Sequence, residues 1–201
     1  MVNIGILGDL SVGKTSILRL FVQFIEQNML EEKFNLAPVK IVRTDFSGEA
    51  TLNNKDTSKQ TKTIHPNRVV FQIGNKMHTL FAPGGDDRPL VRMGIITIFR
   101  ISHIIIAVFD LSRDLENQII FYDRIKFNSK SIYVVLNKAD LVTDLNKKVN
   151  EYTKNIEEYF IEKRKINIKD ISVIVAEALL GFEDLNANCA SIIISCVQMD
   201  R

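Results

Sequence analysis

Gly8-Asp9-Leu10-Ser11-Val12-Gly13-Lys14-Thr15 is the stretch that decides how this chain is read. It matches G-x-x-x-x-G-K-[ST] at every fixed position. Before it stands a short apolar run, Asn3-Ile4-Gly5-Ile6-Leu7, the pattern of a buried strand. After it, from Ser16 to about Leu30, Ile17, Leu20, Phe21, Phe24 and Ile25 fall on one side of a helix. In that order the pieces make an anion cradle. The glycines let the backbone wrap an anion without Cβ clashes, and the loop N–H groups and helix N-terminus point at phosphates. Lys14 supplies a point charge to the terminal phosphates, and the Thr15 hydroxyl can ligate Mg²⁺. Asp9, Ser11, Val12 and Ser16 fill out the contact stretch. From average residue frequencies such a match arises by chance in roughly one chain of this length in a hundred.

The remaining segments alternate between strand and helix. A strand is expected at Val39–Phe46, followed by a loop in an unusual region around 35–66 that contains Pro38, Gly48, Pro66 and the polar run Asn53 to Gln60. Val69–Ile73 and Met77–Ala82 flank the turn Gly74-Asn75-Lys76 and read as a hairpin. Helices are expected at Pro89 to about Ile101, Asp114–Phe127, Leu145–Lys165 and Leu185–Val197, with strands at His103–Phe109, Ile132–Leu136 and Ile171–Ala176. Two of these strands are almost wholly apolar, as in a sheet covered on both faces. The expectation is a single α/β domain over 1–201, a mostly parallel sheet of about six strands flanked by helices.

Ile132–Leu136 runs into Asn137-Lys138-Ala139-Asp140. N-K-x-D at the end of a strand lies at the carboxyl edge of the sheet, where ligands bind. The Asp140 carboxylate there can accept both N–H groups of guanine N1 and N2. Adenine offers no such pair, and an unpaired carboxylate would reject it.

With these two elements the chain resembles the Ras-like small GTPases over nearly its whole length. The stretch Leu80-Phe81-Ala82-Pro83-Gly84 is most similar to the prokaryotic gliding-protein (MglA-like) and signal-recognition-receptor-beta-like branches. The resemblance implies GTP and GDP as ligands, Mg²⁺ as cofactor, and effectors or a GTPase-activating protein as partners. It implies that the Glu177-Ala178-Leu179 backbone touches the guanine oxygen, with Glu in place of the usual Ser. It also implies that a switch threonine reaches magnesium and the γ-phosphate. Thr61 and Thr63 are the candidates, and Thr63 lies nearer the hairpin.

The next family motif, D-x-x-G, is altered. Aligned on Gly84 it reads Phe81-Ala82-Pro83-Gly84, with Gly85 where a water-orienting glutamine is usual. Gly84 keeps the γ-phosphate-sensing N–H. The acid that holds magnesium through a water is missing. The resemblance therefore implies bound GTP with weak intrinsic hydrolysis, unless Arg88, Arg92 or a partner completes the site. Two alternatives stand beside it: a GTPase-like module that holds nucleotide without turnover, and a P-loop kinase or ATPase. The second would need an arginine-rich lid, which the sequence lacks.

Bulk properties exclude other classes. A net charge of +2 gives no basic face for nucleic acid. Glu162-Lys163-Arg164-Lys165 reads as the solvated end of a helix. Cys189 and Cys196, seven apart, suit a helix facing a core rather than a metal or disulfide. His65, His78 and His103 share no ligand spacing. Asp110 is expected either at the P-loop side of the site or as a cap with Ser112. Signal peptide, membrane span, myristoylation site and prenylation box are all missing, so a cytoplasmic protein without a direct membrane anchor is expected.

Overall fold

Strands that are buried on both faces need no polar alternation, and the two most apolar runs in the chain lie side by side. Ile104–Asp110 and Ile132–Asn137 pair in parallel, and from Ile105 through Leu136 their apolar residues are shielded from solvent. This computed structural model describes residues 1–27, 29, 37–47, 65–127, 131–177 and 181–198. Thr61, Thr63, Ala178, Leu179 and most of the 35–66 region lie outside them.

In chain order the elements are β1 (Val2–Leu7), α1 (Lys14–Glu26), β2 (Val39–Asp45), β3 (Asn67–Ile73), β4 (Lys76–Ala82) and α2 (Pro89–Ile101). There follow β5 (Ile104–Asp110), α3 (Leu115–Asp123), β6 (Ile132–Asn137), a 3₁₀ turn at Ala139–Leu141, α4 (Leu145–Glu157), β7 (Ile168–Val173) and α5 (Glu183–Gln198). One sheet of seven strands, rather than about six, has the order β2-β3-β4-β1-β5-β6-β7. Only β3 runs against the rest: it pairs antiparallel with β2 and β4, and every other pairing is parallel.

The order places the site. The chain leaves β1 towards β4 on one side and later returns to β5 on the other. A crevice opens where strand order reverses, outside the carboxyl ends of β1, β5 and β6. The Gly8–Thr15 loop occupies that crevice.

Two apolar layers close the sheet. On one face Ile17, Phe21 and Phe24 of α1 meet Cys189, Ile193 and Cys196 of α5 over Ile4, Ile6, Val108 and Val135. On the other, Ile95 and Phe99 of α2, Tyr122 of α3 and Tyr152 of α4 cover Ile105, Phe109 and Leu136. Both cysteines are free thiols in the first layer, as the spacing suggested. Burial pushes the Cys189 thiol up to about 12, so it is unreactive.

Boundaries depart from expectation where side-chain or loop bonds replace the regular ladder. The last strand stops at Val173 rather than Ala176. Ile174 N still reaches Leu136 O at 2.9 Å, but Ala176 N turns to the Asn137 side chain. The long helix expected to Lys165 is α-helical to Glu157 and widens into π-helical turns over Glu158–Lys163. Arg164 is not solvated as expected. It donates to Asp123 Oδ1, to the Tyr159 hydroxyl and to Ile125 O, which ties the helix end to α3.

Tyr122 is buried in α3, and its hydroxyl is shared between Leu7 O and Val108 O, each at 3.0 Å. It bridges the ends of β1 and β5 directly beneath Gly8. Tyr122→Phe leaves two buried carbonyls without that donor and should cost about 1–2 kcal/mol. Thermal unfolding should move down by roughly 2–8 °C. An unchanged midpoint would mean that the bridge contributes nothing.

Candidate nucleotide site

The phosphate loop is held in a shape that only its own residues allow. Gly13 has φ +97°, and a Cβ there would sit 2.2 Å from Asn137 Nδ2. A Cβ on Gly8 would meet Val108 O at 2.7 Å. Ser11 also takes a positive φ of 61°, and its buried hydroxyl oxygen has no partner among the described residues. Helix α1 starts at Lys14 with no side-chain cap and no acid in its first turn, so its leading N–H groups face the loop. That is the geometry of an anion site.

Lys14 is buried, and its amino group donates to Gly8 O at 2.8 Å and Asp9 O at 2.7 Å. Loss of solvent lowers its pKa to about 8, opposed by Asp9 and Asp86 and assisted by Arg113. The lysine thus rests on the loop's own carbonyls.

Asn137 joins the loop to the far strands. Its Nδ2 donates to Val12 O at 2.8 Å, and its Oδ1 accepts from Ala176 N at 3.0 Å. Lys138 takes a left-handed backbone (φ 62°), and its amino group meets Asp110 Oδ2 at 2.6 Å. Asp110 is fully buried, and its other oxygen accepts from the N–H and hydroxyl of Ser112. So Asp110 anchors Lys138 and its own turn, while Asp114 caps α3. Asp140 sits half-buried in the 3₁₀ turn, with no hydrogen bond or ion pair to any described residue. Glu177 is exposed, and its carbonyl accepts from Asn186 Nδ2 at 3.0 Å.

The altered switch motif has a geometric explanation that the alignment did not contain. Strand alternation sends Leu80 and Ala82 to the α1 face and Phe81 to the α2 face. On this backbone an acid at 81 would point away from Thr15. The described residue that does reach Thr15 is Asn67, opposite Ala82 on β3, whose Nδ2 donates to Thr15 Oγ1 at 3.0 Å. Gly84 and Gly85 are both buried, and Gly85 lies against the phosphate loop. A Cβ on Gly85 would lie 2.4 Å from the Asp9 carbonyl and 2.5 Å from Leu10 N, so no side chain fits. Asp86 and Arg88 form a pair, and the guanidinium holds the Asp86 carboxyl below its usual range.

Two residues escaped the sequence reading. Arg113 donates to Leu10 O at 2.7 Å and to Asp9 Oδ2 at 2.8 Å, bracing the loop from the turn after β5. Asn67 stood outside the strand expected at Val69–Ile73, which begins two residues earlier. Neither lies in a motif, and both act across more than fifty positions of sequence. Of the histidines, His78 is buried beside Phe71, His103 Nδ1 accepts from Asn3 N, and His65 is exposed. Among the described residues no cluster of three or more His, Cys, Asp or Glu could hold a metal. A separate groove between α2 and α3 is floored by Ile95, Phe99 and Phe121 and rimmed by Arg92, Arg100 and Arg124.

This arrangement is the fold of P-loop GTPases. Among solved structures the chain is similar to the elongation factor SelB of Methanococcus maripaludis in complex with a GTP analogue, with TM-score 0.63 and 16% identity over 98% of this chain and 34% of that one. It is similar also to Era in complex with MgGDPNP and a segment of 16S ribosomal RNA (TM-score 0.60, 19% identity, 95% of this chain and 55% of that one). A bacterial selenocysteine-specific elongation factor gives TM-score 0.61 at 18% identity over 96% of this chain and 29% of that one. The chain thus spans about a third to a half of these proteins. No protein-family model and no curated protein sequence matches it.

The contact between Gly85 and the loop backbone is open to a paired test. Gly85→Ala must push the segment off Asp9 and should cost about 1–3 kcal/mol in the nucleotide-free protein. Gly94→Ala, in helix α2 with no contact under 3.6 Å, should gain about 0.5–1 kcal/mol. Equal effects in chemical denaturation would show that Gly85 is not packed on the loop.

Proposed function

We propose that the chain is a small guanine-nucleotide-binding switch whose GTP hydrolysis is slow or needs a partner. One observation carries the reading: the Asn137 amide joins the phosphate loop to the strand end that bears Asp140, so phosphate and base determinants form one rigid unit. A nucleotide with its phosphates on Gly8–Ser16 and its base at Asn137–Asp140 spans that unit. Glu177, Ala178 and Leu179 would close on the guanine oxygen. In the kinase or ATPase alternative Asp140 has no work to do.

The chain's own groups divide the labour. Lys14 leaves the Gly8 and Asp9 carbonyls for the terminal phosphates. Thr15, with Thr63 from the switch, would hold Mg²⁺, which neutralises charge on the β- and γ-phosphates. Gly84 N–H senses the γ-phosphate. Nothing at position 85 orients an attacking water, and Arg88 and Arg113 are engaged with Asp86 and Asp9. These absences support slow turnover, completed by an activating protein or effector docking near 81–93. The likeness to the gliding-protein and receptor-beta branches belongs to this reading, as does a cytoplasmic site of action. The second reading, a module that holds nucleotide without turnover, draws on the same Gly85 contact.

Asp140→Asn tests the base. It should weaken GDP binding by about 10²-fold or more and favour xanthosine diphosphate, since one carboxylate accepts two N–H groups. Unchanged GDP affinity would refute guanine recognition at this turn.

The lysine adds a pH dependence. In the nucleotide-free protein Lys14 loses its proton near its pKa of about 8, below its ordinary value. Phosphate favours the charged form, so binding above that pH takes up a proton. Affinity should be steady below about pH 7 and fall about tenfold by about pH 9. Calorimetry in buffers of different ionisation enthalpy should show the uptake; none would mean that Lys14 stays charged.

A further inference from the structure

Strand alternation turns Phe81 away from the metal side of the phosphate loop and puts Ala82 there, so β4 offers no acid to magnesium. The neighbouring strand offers an amide. Asn67 opens β3, pairs with Ala82 and lies on the same face as Val69 and Phe71, towards α1. It is fully buried, with 0% of its surface exposed. Its Nδ2 donates to Thr15 Oγ1 at 3.0 Å. Its Oδ1 is buried and has no hydrogen-bond partner among the described residues. A buried carbonyl oxygen left unpaired is costly, and such atoms in folded proteins mark a missing partner. A hydrogen-bond donor beside the Thr15 hydroxyl would satisfy it.

A magnesium-bound water is such a donor. Magnesium dehydrates reluctantly and keeps several waters when it binds phosphates and a single protein oxygen. We propose that Asn67 is the residue that positions magnesium in this chain, in place of the absent acid. Nδ2 fixes the Thr15 oxygen, and Oδ1 accepts a hydrogen bond from a water on the ion. The amide is neutral, so the ion is held with one negative charge fewer than a carboxylate would supply. Nucleotide retention then depends steeply on free Mg²⁺. The acids beside Lys14 are already paired, Asp86 with Arg88 and Asp9 with Arg113. This inference rests on the guanine-nucleotide reading of the same site.

The test is release of a fluorescent GDP analogue at buffered Mg²⁺ concentrations from the parent protein, Asn67→Ala and Asn67→Asp. Asn67→Ala should raise the Mg²⁺ concentration for half-maximal slowing about 10- to 100-fold. Each variant's own release rate without Mg²⁺ is the reference, so the effect is read as a shift of the Mg²⁺ midpoint and not as an absolute rate. Asn67→Asp, nearly isosteric, should lower the half-maximal concentration below the parent's. Mg²⁺ should also raise the unfolding temperature of the GDP-bound Asp variant more than the parent's. If Asn67→Ala does not fold, the Asp variant carries the comparison alone. An unshifted Mg²⁺ midpoint in Asn67→Ala, or an Asp variant that binds Mg²⁺ no better than the parent, overturns the proposal while leaving guanine binding intact. A parent protein that takes up no guanine nucleotide overturns the functional reading, and this proposal with it.

Discussion

The site depends on one side chain. Asn137 reaches from the end of β6 to Val12 O in the phosphate loop and to Ala176 N beyond β7. Three segments far apart in sequence are held at hydrogen-bond distance by a single buried amide. Gly13 is the counterpart of that contact, because any Cβ would displace the Asn137 nitrogen. Glycine and asparagine thus specify each other across more than a hundred residues. Around this clamp the other braces fall into place. Arg113 fixes Asp9 and Leu10 from the turn after β5, Tyr122 joins β1 to β5 below, and Lys138 neutralises buried Asp110 beside it. Removing Lys138 would leave the buried Asp110 carboxylate without its counter-charge, which favours one arrangement of the turn.

Removal of chemistry, rather than its addition, sets this site apart. The segment after β4 lies against the phosphate loop because Gly85 has no side chain, and no reactive group emerges at that position. On the proposed reading, phosphates and base would meet groups already in position, while Arg88 and Arg113 are engaged with Asp86 and Asp9.

The alternating order of elements was legible because buried strands and amphipathic helices have different periods. The loop Gly8–Thr15 and the turn Asn137–Asp140 were legible because their residue types have few other uses at that spacing. The structure brings both to one crevice. What could not be read were contacts between segments without a motif. Asn67 and Arg113 are common residue types in unremarkable positions, and only the sheet register delivers one to Thr15 and the other to Asp9. The face on which Phe81 lies was hidden for the same reason: alignment counts positions along the chain, while strand alternation decides direction. The edge strand β2 was legible too, expected at Val39–Phe46 and found at Val39–Asp45, although most of it is exposed.

The most direct measurement is the identity of the nucleotide that the protein carries. Protein purified gently in magnesium, denatured and separated by chromatography should release guanine nucleotide, with GTP retained because position 85 cannot orient a water. Adenine nucleotide would contradict the assignment of Asp140. GDP alone would contradict stalled hydrolysis and show that the site completes turnover without the side chains it lacks.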